Sequence, residues 1–302
     1  NNHTIDEAIE IDDIGNYNTE ACLALDKDDI EYYKELFEEI GRKPTNIELF
    51  DLSQSNSEHS RHWFFRGLLY FKENGNDINP NNKSLFEMVK RTLQGDNSLI
   101  AFSDNSSAIK GHEIKDIVYK NLLYTVKERN YDIVFTAETH NFPTGIAPFP
   151  GAATGIGGRI RDNQAIGRGG MLIAGTAGYC VGCLNIPDYE QSWEMNMKLG
   201  YLDDDSINEP VKILIEASNG ASDYGNKIGE PIIQGFTRSF GSRINGKRIE
   251  WLKPIMFSGG LGQMPHEFLN KKQPKEGMLI VRIGGPAYRI GVGGGSASSR
   301  VQ

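Results

Sequence analysis

The sequence has few cysteines, no long apolar run and no excess of basic residues, and each shortage excludes a class of protein. Three cysteines in 302 residues are too few for a disulfide-stabilised secreted scaffold, so a reducing, cytoplasmic location is expected. No run is apolar for long enough to span a bilayer. The formal net charge of −8 argues against a broad nucleic-acid-binding surface. A phosphorylated substrate would therefore depend on local basic groups.

The glycine-rich segment 151–162 also lacks the Lys-Ser/Thr ending of a P-loop and the spacing of a dinucleotide fingerprint. Glycines permit close backbone approach, so consecutive N–H groups could point into one anion-binding concavity. The segment is predicted to be a phosphate-binding loop, with a structural glycine-rich turn as the alternative. Its residues are Gly151, Ala152, Ala153, Thr154, Gly155, Ile156, Gly157, Gly158, Arg159, Ile160, Arg161 and Asp162.

A strand is predicted immediately before that segment, over Tyr131–His140, which is rich in β-forming residues. Side chains alternate along a strand, so Glu138 and His140 should project from the same face at its end. Ionisable groups at a strand terminus beside a phosphate loop are candidates for metal binding and acid/base chemistry. For His140 taken alone, a structural histidine is the alternative.

A second polar cluster lies within residues 53–62, ahead of three consecutive aromatic residues. Helical spacing places His59 near Trp63 and Glu58 near His62. This face either lines a site or is simply solvated. His59 and His62 could also bind zinc, although no third ligand stands out nearby.

The remaining pattern mixes helices and strands. Helices are predicted over 28–41, from Thr45 onward, over 84–94 and over 231–240. Strands are predicted over 171–180, 211–218, 255–260 and 278–283, with a turn at Asn219-Gly220 and a loop over 72–83. The polar segment 223–231 is either a cation- and phosphate-binding cluster or an exposed turn. Cys180 and Cys183 are expected to be small core residues.

Several of these segments resemble the formylglycinamide ribonucleotide amidotransferase family, also called phosphoribosylformylglycinamidine synthase, in its large single-chain form. The similar blocks keep the family's order from about residue 22 to the end of the sequence. They are residues 50–65, 135–162, 167–170, 174–180, 216–231, 253–260 and 284–299.

The resemblance implies an ATP-dependent ligase of purine biosynthesis. ATP would phosphorylate the amide oxygen of formylglycinamide ribonucleotide, and glutamine-derived ammonia would displace phosphate to give the amidine. His140 and His59 correspond to active-site positions. Segment 151–162 corresponds to the ATP-binding segment, with Gln234, Gly235 and Phe236 as a weaker nucleotide contact. Glu138 and Asp162 are the expected Mg²⁺ ligands.

The resemblance also implies an α+β fold in three parts. Residues 1–100 would hold a lead-in and a helical linker domain, 101–272 a synthetase-like ATP-binding domain, and 273–302 the start of its companion domain. The other synthetase half and the glutaminase that supplies ammonia would be partners elsewhere in a longer polypeptide, and this piece alone is expected to be inactive. Alternatives are another ATP-using enzyme of the same superfold, or a non-catalytic nucleotide-binding or assembly module.

Overall fold

The computed structural model describes residues 7–23, 25–55, 65–78, 83–189, 191–195, 197 and 207–285. It is a mixed α+β protein, as predicted, and divides into two compact units. The first contains the described residues up to Thr92 together with 282–285, and the second is Leu93–Val281. Within the described residues, no helix combines the length and apolarity needed to cross a membrane.

The first unit contains the helices α1 (Ile14–Glu20), α2 (Lys27–Ile40) and α3 (Asn46–Ser55). Asp26 caps α2 in a capping box, and Gly41 ends it in the left-handed conformation, as the sequence pattern predicts. Thr45 and Glu48 exchange hydrogen bonds at the start of α3, which confirms the second predicted helix start. Their shared core consists of Ile14, Leu23, Leu25, Tyr33, Phe37 and Leu49.

A hairpin and a short helix follow in the same unit. Strands β1 (Phe71–Glu73) and β2 (Asn76–Ile78) pair where a loop was predicted, because Asn74 and Gly75 adopt the positive φ angles of a tight turn. Helix α4 (Leu85–Lys90) confirms the helix predicted in 84–94 and is shorter than expected.

The second unit is built on a six-stranded sheet in the order β3-β4-β5-β10-β6-β7. The strands are β3 (Ser98–Ile100), β4 (Ser107–Lys120), β5 (Leu123–Thr139), β6 (Met171–Val181), β7 (Ile232–Ser239) and β10 (Ile255–Pro265). All neighbours pair antiparallel except β6 and β7. A separate hairpin joins β8 (Gly241–Ile244) to β9 (Lys247–Glu250). The strands predicted over 131–140, 171–180 and 255–260 are confirmed.

The helices of this unit are α5 (Asn141–Ile146), α6 (Pro148–Ala165) and α7 (Pro210–Ile228). Helices α6 and α7 bury one face of the sheet. The core between them consists of Ala152, Ile156, Ile160, Ala177, Tyr179, Ala217, Ala221 and Met256. The opposite face leaves apolar side chains exposed, including the directly paired Phe135 (39% exposed) and Leu261 (50% exposed).

Three of the helices and strands predicted from the sequence are wrong. Residues 211–218 lie in α7, where Ile213, Ala217 and Gly220 are buried at helical spacing, so Asn219-Gly220 is not a turn. Residues 231–240 form the edge strand β7, and Phe236 is 43% exposed. Residues 278–283 form no strand, and Ile280 is fully exposed. Local pattern misled for 211–218 and 231–240 because their packing partners are distant in sequence.

Candidate functional site

The predicted phosphate loop is wrong as a conformation, because residues 151–162 all lie within helix α6. Pro148 starts the helix, a position where its missing N–H is tolerated. Ala152, Ile156 and Ile160 recur at every fourth residue and are buried against the sheet. The backbone N–H groups of this segment are therefore engaged in the helix and do not line an open loop.

The glycines of α6 serve close packing instead. A Cβ on Gly151 would lie 2.5 Å from the carbonyl oxygen of Pro143, and one on Gly155 would lie 2.8 Å from Cβ of His140. A Cβ on Gly157 would lie 2.8 Å from Cζ of Tyr224. Glycine therefore lets α5 and α7 approach α6 closely.

The accessible part of α6 is a polar face. Thr154 and Arg161 are exposed, Gly158 and Asp162 are half-buried, and these positions recur at helical spacing. A Cβ on Gly158 would meet only Arg161 Nη2, at 4.0 Å. The sequence-predicted residues that could contact a ligand from α6 are thus a subset of the segment. Arg159 is fully buried, which keeps its guanidinium from an external phosphate in this conformation.

Glu138 and Asp162 come together beside this face. Glu138 lies near the end of β5, and its carboxyl group hydrogen bonds with that of Asp162 on α6. Burial, followed by this hydrogen bond and the charge of Asp162, raises the pKa of Glu138 to about 7, while Arg161 opposes the rise. Two adjacent carboxyl groups, with the pKa of Glu138 raised, favour a cation or a shared proton.

Asn105 is a neighbour that sequence reasoning missed. Its Nδ2 donates to Asp162 Oδ1 at 3.3 Å, and the adjacent Ser106 Oγ donates to Asn163 Oδ1 at 3.0 Å. Both belong to the Asp-Asn-Ser-Ser run between β3 and β4. That run was the available signal, since short polar clusters favour turns that present side chains.

His140 is held firmly at the start of α5. Its backbone N–H donates to Met256 O at 2.9 Å, and Met256 N donates to Asn141 Oδ1 at 2.9 Å, which docks this corner on β10. The ring Nδ1 lies 2.6 Å from Gly151 O. A carbonyl oxygen only accepts, so Nδ1 carries the proton and the neutral ring has its lone pair on Nε2. As predicted, Glu138 and His140 both face α6.

The Mg²⁺ donor set is small. The described residues contain no group of three or more His, Cys, Asp or Glu side chains placed to hold a metal ion. Glu138 and Asp162 still fit Mg²⁺, because this ion is commonly held by one or two carboxylates together with substrate phosphates and water. The segment 223–231 offers no such site: Lys227 pairs with Asp223 at 2.7 Å, and Glu230 is buried.

Gln234, Gly235 and Phe236 lie elsewhere in the unit. Glu138, Ser258, Ala177 and Gly235 occupy one row across β5, β10, β6 and β7. Three strand spacings therefore separate Gly235 from Glu138, about 14 Å. Gln234–Phe236 line a separate cleft of about 400 Å³ with Tyr179, Ser218 and Ser222. The described structure does not bring them to the Glu138–Asp162 pair.

Two further expectations concern histidine and cysteine. His59 and the rest of its polar cluster, 56–64, lie outside the described residues. Cys180 and Cys183 are buried and form no disulfide, as expected of core residues, and burial raises the pKa of Cys183 to about 11. That thiol is therefore a poor nucleophile.

Comparisons with known proteins support the resemblance seen in the sequence. Residues 14–62 match the family model of the formylglycinamide ribonucleotide amidotransferase linker domain. The chain is 58% identical over 292 residues to a phosphoribosylformylglycinamidine synthase of Dictyostelium discoideum, covering 94% of this chain and 21% of that protein. It is 50% identical over 289 residues to the Homo sapiens protein of that name, covering 93% and 21%.

A solved structure is also similar. The Thermotoga maritima protein described as PurL complexed with ADP matches with a TM-score of 0.43 and 21% identity, covering 78% of this chain and 27% of that chain. The chain thus spans about a fifth of the length of the curated relatives it matches.

Proposed function

Because this chain is related in sequence to the phosphoribosylformylglycinamidine synthases over more than nine-tenths of its residues, we propose that it contributes the ATP-binding half of such a synthetase. The reaction is the ATP-dependent conversion of formylglycinamide ribonucleotide to its amidine with glutamine-derived ammonia. The observation that carries the proposal is the meeting of Glu138 and Asp162 beside the polar face of α6, the same helix that the His140 ring contacts at Gly151.

The proposed chemistry has two steps. The substrate amide oxygen attacks the γ-phosphorus of ATP, the bond to the β-phosphate oxygen breaks, and ADP leaves with that electron pair. Ammonia then adds to the activated carbon, phosphate leaves, and one proton is lost to give the amidine. Positioning and charge stabilisation supply most of the catalysis in such phosphoryl transfers.

Each residue of the site has a proposed part. Glu138 and Asp162 would hold Mg²⁺, which neutralises phosphate charge when bound. Arg161, exposed beside them, would contact a phosphate oxygen. His140 presents Nε2 as a base, because Gly151 O fixes the proton on Nδ1. His59 remains a predicted active-site residue, and Gln234–Phe236 remain a predicted nucleotide contact.

The partners and location belong to the same proposal. Ammonia would come from a glutaminase domain outside this chain, and the second synthetase half would complete the site. A cytoplasmic location is supported by three cysteines that form no disulfide, of which Cys22 is exposed.

The test is amidine formation by the complete polypeptide, supplied with ATP, Mg²⁺ and ammonium chloride in place of glutamine. Glu138→Gln and Asp162→Asn should each reduce synthesis with ammonia and leave glutamine hydrolysis nearly unchanged. Arg129→Met is the matched control, since Arg129 pairs with Asp116 and Glu267 away from these residues. Normal ammonia-dependent synthesis by both carboxylate variants would refute the proposed site.

A further inference from the structure

A buried ion pair joins α6 to the turn that leads into β7. Arg159 of α6 and Glu230, which follows the C-terminal cap of α7, are both 0% exposed and are bonded through Nη1 and Oε1. Arg159 Nε also donates to Ser258 Oγ on β10 at 3.2 Å. The guanidinium is therefore fixed to two other elements of the unit.

Two neighbouring glycines make room for this guanidinium. Gly175 of β6 and Gly260 of β10 are direct partners across the sheet. A Cβ on Gly260 would lie 2.1 Å from Arg159 Nη1, and a Cβ on Gly175 would lie 2.7 Å from Nη2. No side chain fits at either position while Arg159 lies over this pair of glycines.

A gain in folding stability does not by itself explain this ion pair. Among the described residues, Arg159 Nη2 and Glu230 Oε2 have no hydrogen-bond partner. Desolvating two charges is costly, and replacing a buried ion pair by apolar residues of similar volume is often neutral or stabilising. The value of the pair therefore lies in the geometry that it imposes.

That geometry concerns the rotation of α6 about its own axis. Successive residues of an α-helix turn by about 100°, so anchoring Arg159 against the sheet sets the direction of every other residue of α6. Arg161 then faces solvent, and Asp162 projects sideways to Glu138. We infer that Arg159 and Glu230 are positioning residues, which fix the rotation of α6 and thereby hold Asp162 against Glu138 in the proposed cation site.

This inference rests on the proposed function for its first test, a double-mutant cycle in the complete polypeptide. The affinity for Mg²⁺ with a non-hydrolysable ATP analogue is measured by calorimetry for Arg159→Met/Glu230→Met, with and without Asp162→Asn. If the ion pair positions Asp162, Arg159→Met/Glu230→Met should weaken binding of Mg²⁺ with the analogue about tenfold when Asp162 is present. In the Asp162→Asn background the same substitutions should weaken binding less than about twofold, because coupled residues give non-additive effects. Unchanged binding, or an equal loss in both backgrounds, would overturn the inference.

A second readout needs no nucleotide. Ala152 is fully buried on the sheet side of α6, so the thiol of Ala152→Cys should resist maleimide in a Cys22→Ser background. Arg159→Met/Glu230→Met should raise its labelling rate at least about tenfold, whereas Arg129→Met should not. An unchanged labelling rate counts against positioning.

The two readouts separate the two proposals. If the unsubstituted protein binds no nucleotide, the proposed function fails and the labelling result alone decides the inference. If the double substitution does not fold by circular dichroism, Ser258→Ala replaces it in both tests, because it removes only the hydrogen bond from Arg159 Nε. The inference then requires Ser258→Ala to weaken binding of Mg²⁺ with the analogue and to raise the labelling rate, each by about twofold or more.

Discussion

The Glu138→Gln substitution should alter how stability depends on pH, and the sign follows from the structure. The pKa of Glu138 is raised from 4.5 to about 7, so the folded protein holds this proton more tightly than the unfolded chain. Stability therefore falls as pH rises through this window. Glutamine mimics the protonated carboxyl group, so the variant should differ least from the unsubstituted protein at pH 5 and be clearly more stable at pH 8.

The magnitude follows from the size of the shift. One pKa unit corresponds to about 1.4 kcal/mol, and the full shift would give about 3 kcal/mol. Glu138 is only half-buried, and solvent screening reduces the effect to about 1–2 kcal/mol. For a unit of this size the melting temperature should change by roughly 2–8 °C between the extremes.

The assay is thermal unfolding of the purified protein from pH 5 to 8 in the presence of EDTA, because a bound cation would offset the carboxylate repulsion. Glu267→Gln is the control: Arg129 lowers the pKa of Glu267, so its contribution is lost only in acid, below the range measured. The reasoning would be refuted by identical pH slopes for Glu138→Gln and the unsubstituted protein.

Three further predictions address the proposed base His140, the contact between α6 and α7, and the exposed face of the sheet. His140→Ala should slow ammonia-dependent amidine formation by about 100-fold or more in the complete enzyme, and activity within threefold of normal would exclude His140 as the base. Gly220→Ala should destabilise the protein by about 1–3 kcal/mol in urea unfolding, since its Cβ would lie 2.1 Å from Phe149 O. Gly158→Ala, in open space on α6, should instead stabilise by about 0.5–1 kcal/mol, and equal effects would contradict the packing argument. The exposed apolar side chains of the sheet predict self-association of this chain when it is expressed alone; Leu261→Glu should reduce that association in light scattering without lowering the melting temperature, and unchanged association would show that this sheet face is not responsible.

Much of the fold was predictable where the pattern is local. The alternation of Tyr131–His140 and the capping residues of α2 and α3 specify their elements by themselves. The glycine run of α6 is different, because glycine is compatible with a loop and with a closely packed helix. In the structure these glycines pack against His140 and Tyr224, and the packing partners of a segment are not visible in its own composition.

The candidate site was likewise predictable from the sequence only where its pattern is local. Strand periodicity placed Glu138 and His140 on one face, and the structure places both against α6. Asn105 could not be assigned to the site, because its contact with Asp162 joins residues 57 positions apart. The Arg159–Glu230 pair joins residues 71 positions apart, and sequence spacing alone suggested that Arg159 would face a phosphate.

The position of β10 also determines when the sheet can form during synthesis. This strand lies between β5 and β6 although it is made after both, and about 80 residues separate the end of β6 from the end of β10. At a synthesis rate of about 5–20 residues per second, β5 and β6 remain unjoined for roughly 4–16 s, until β10 has been synthesised. Both present unpaired backbone edges meanwhile, so the growing chain passes through a stage in which chaperone protection matters most.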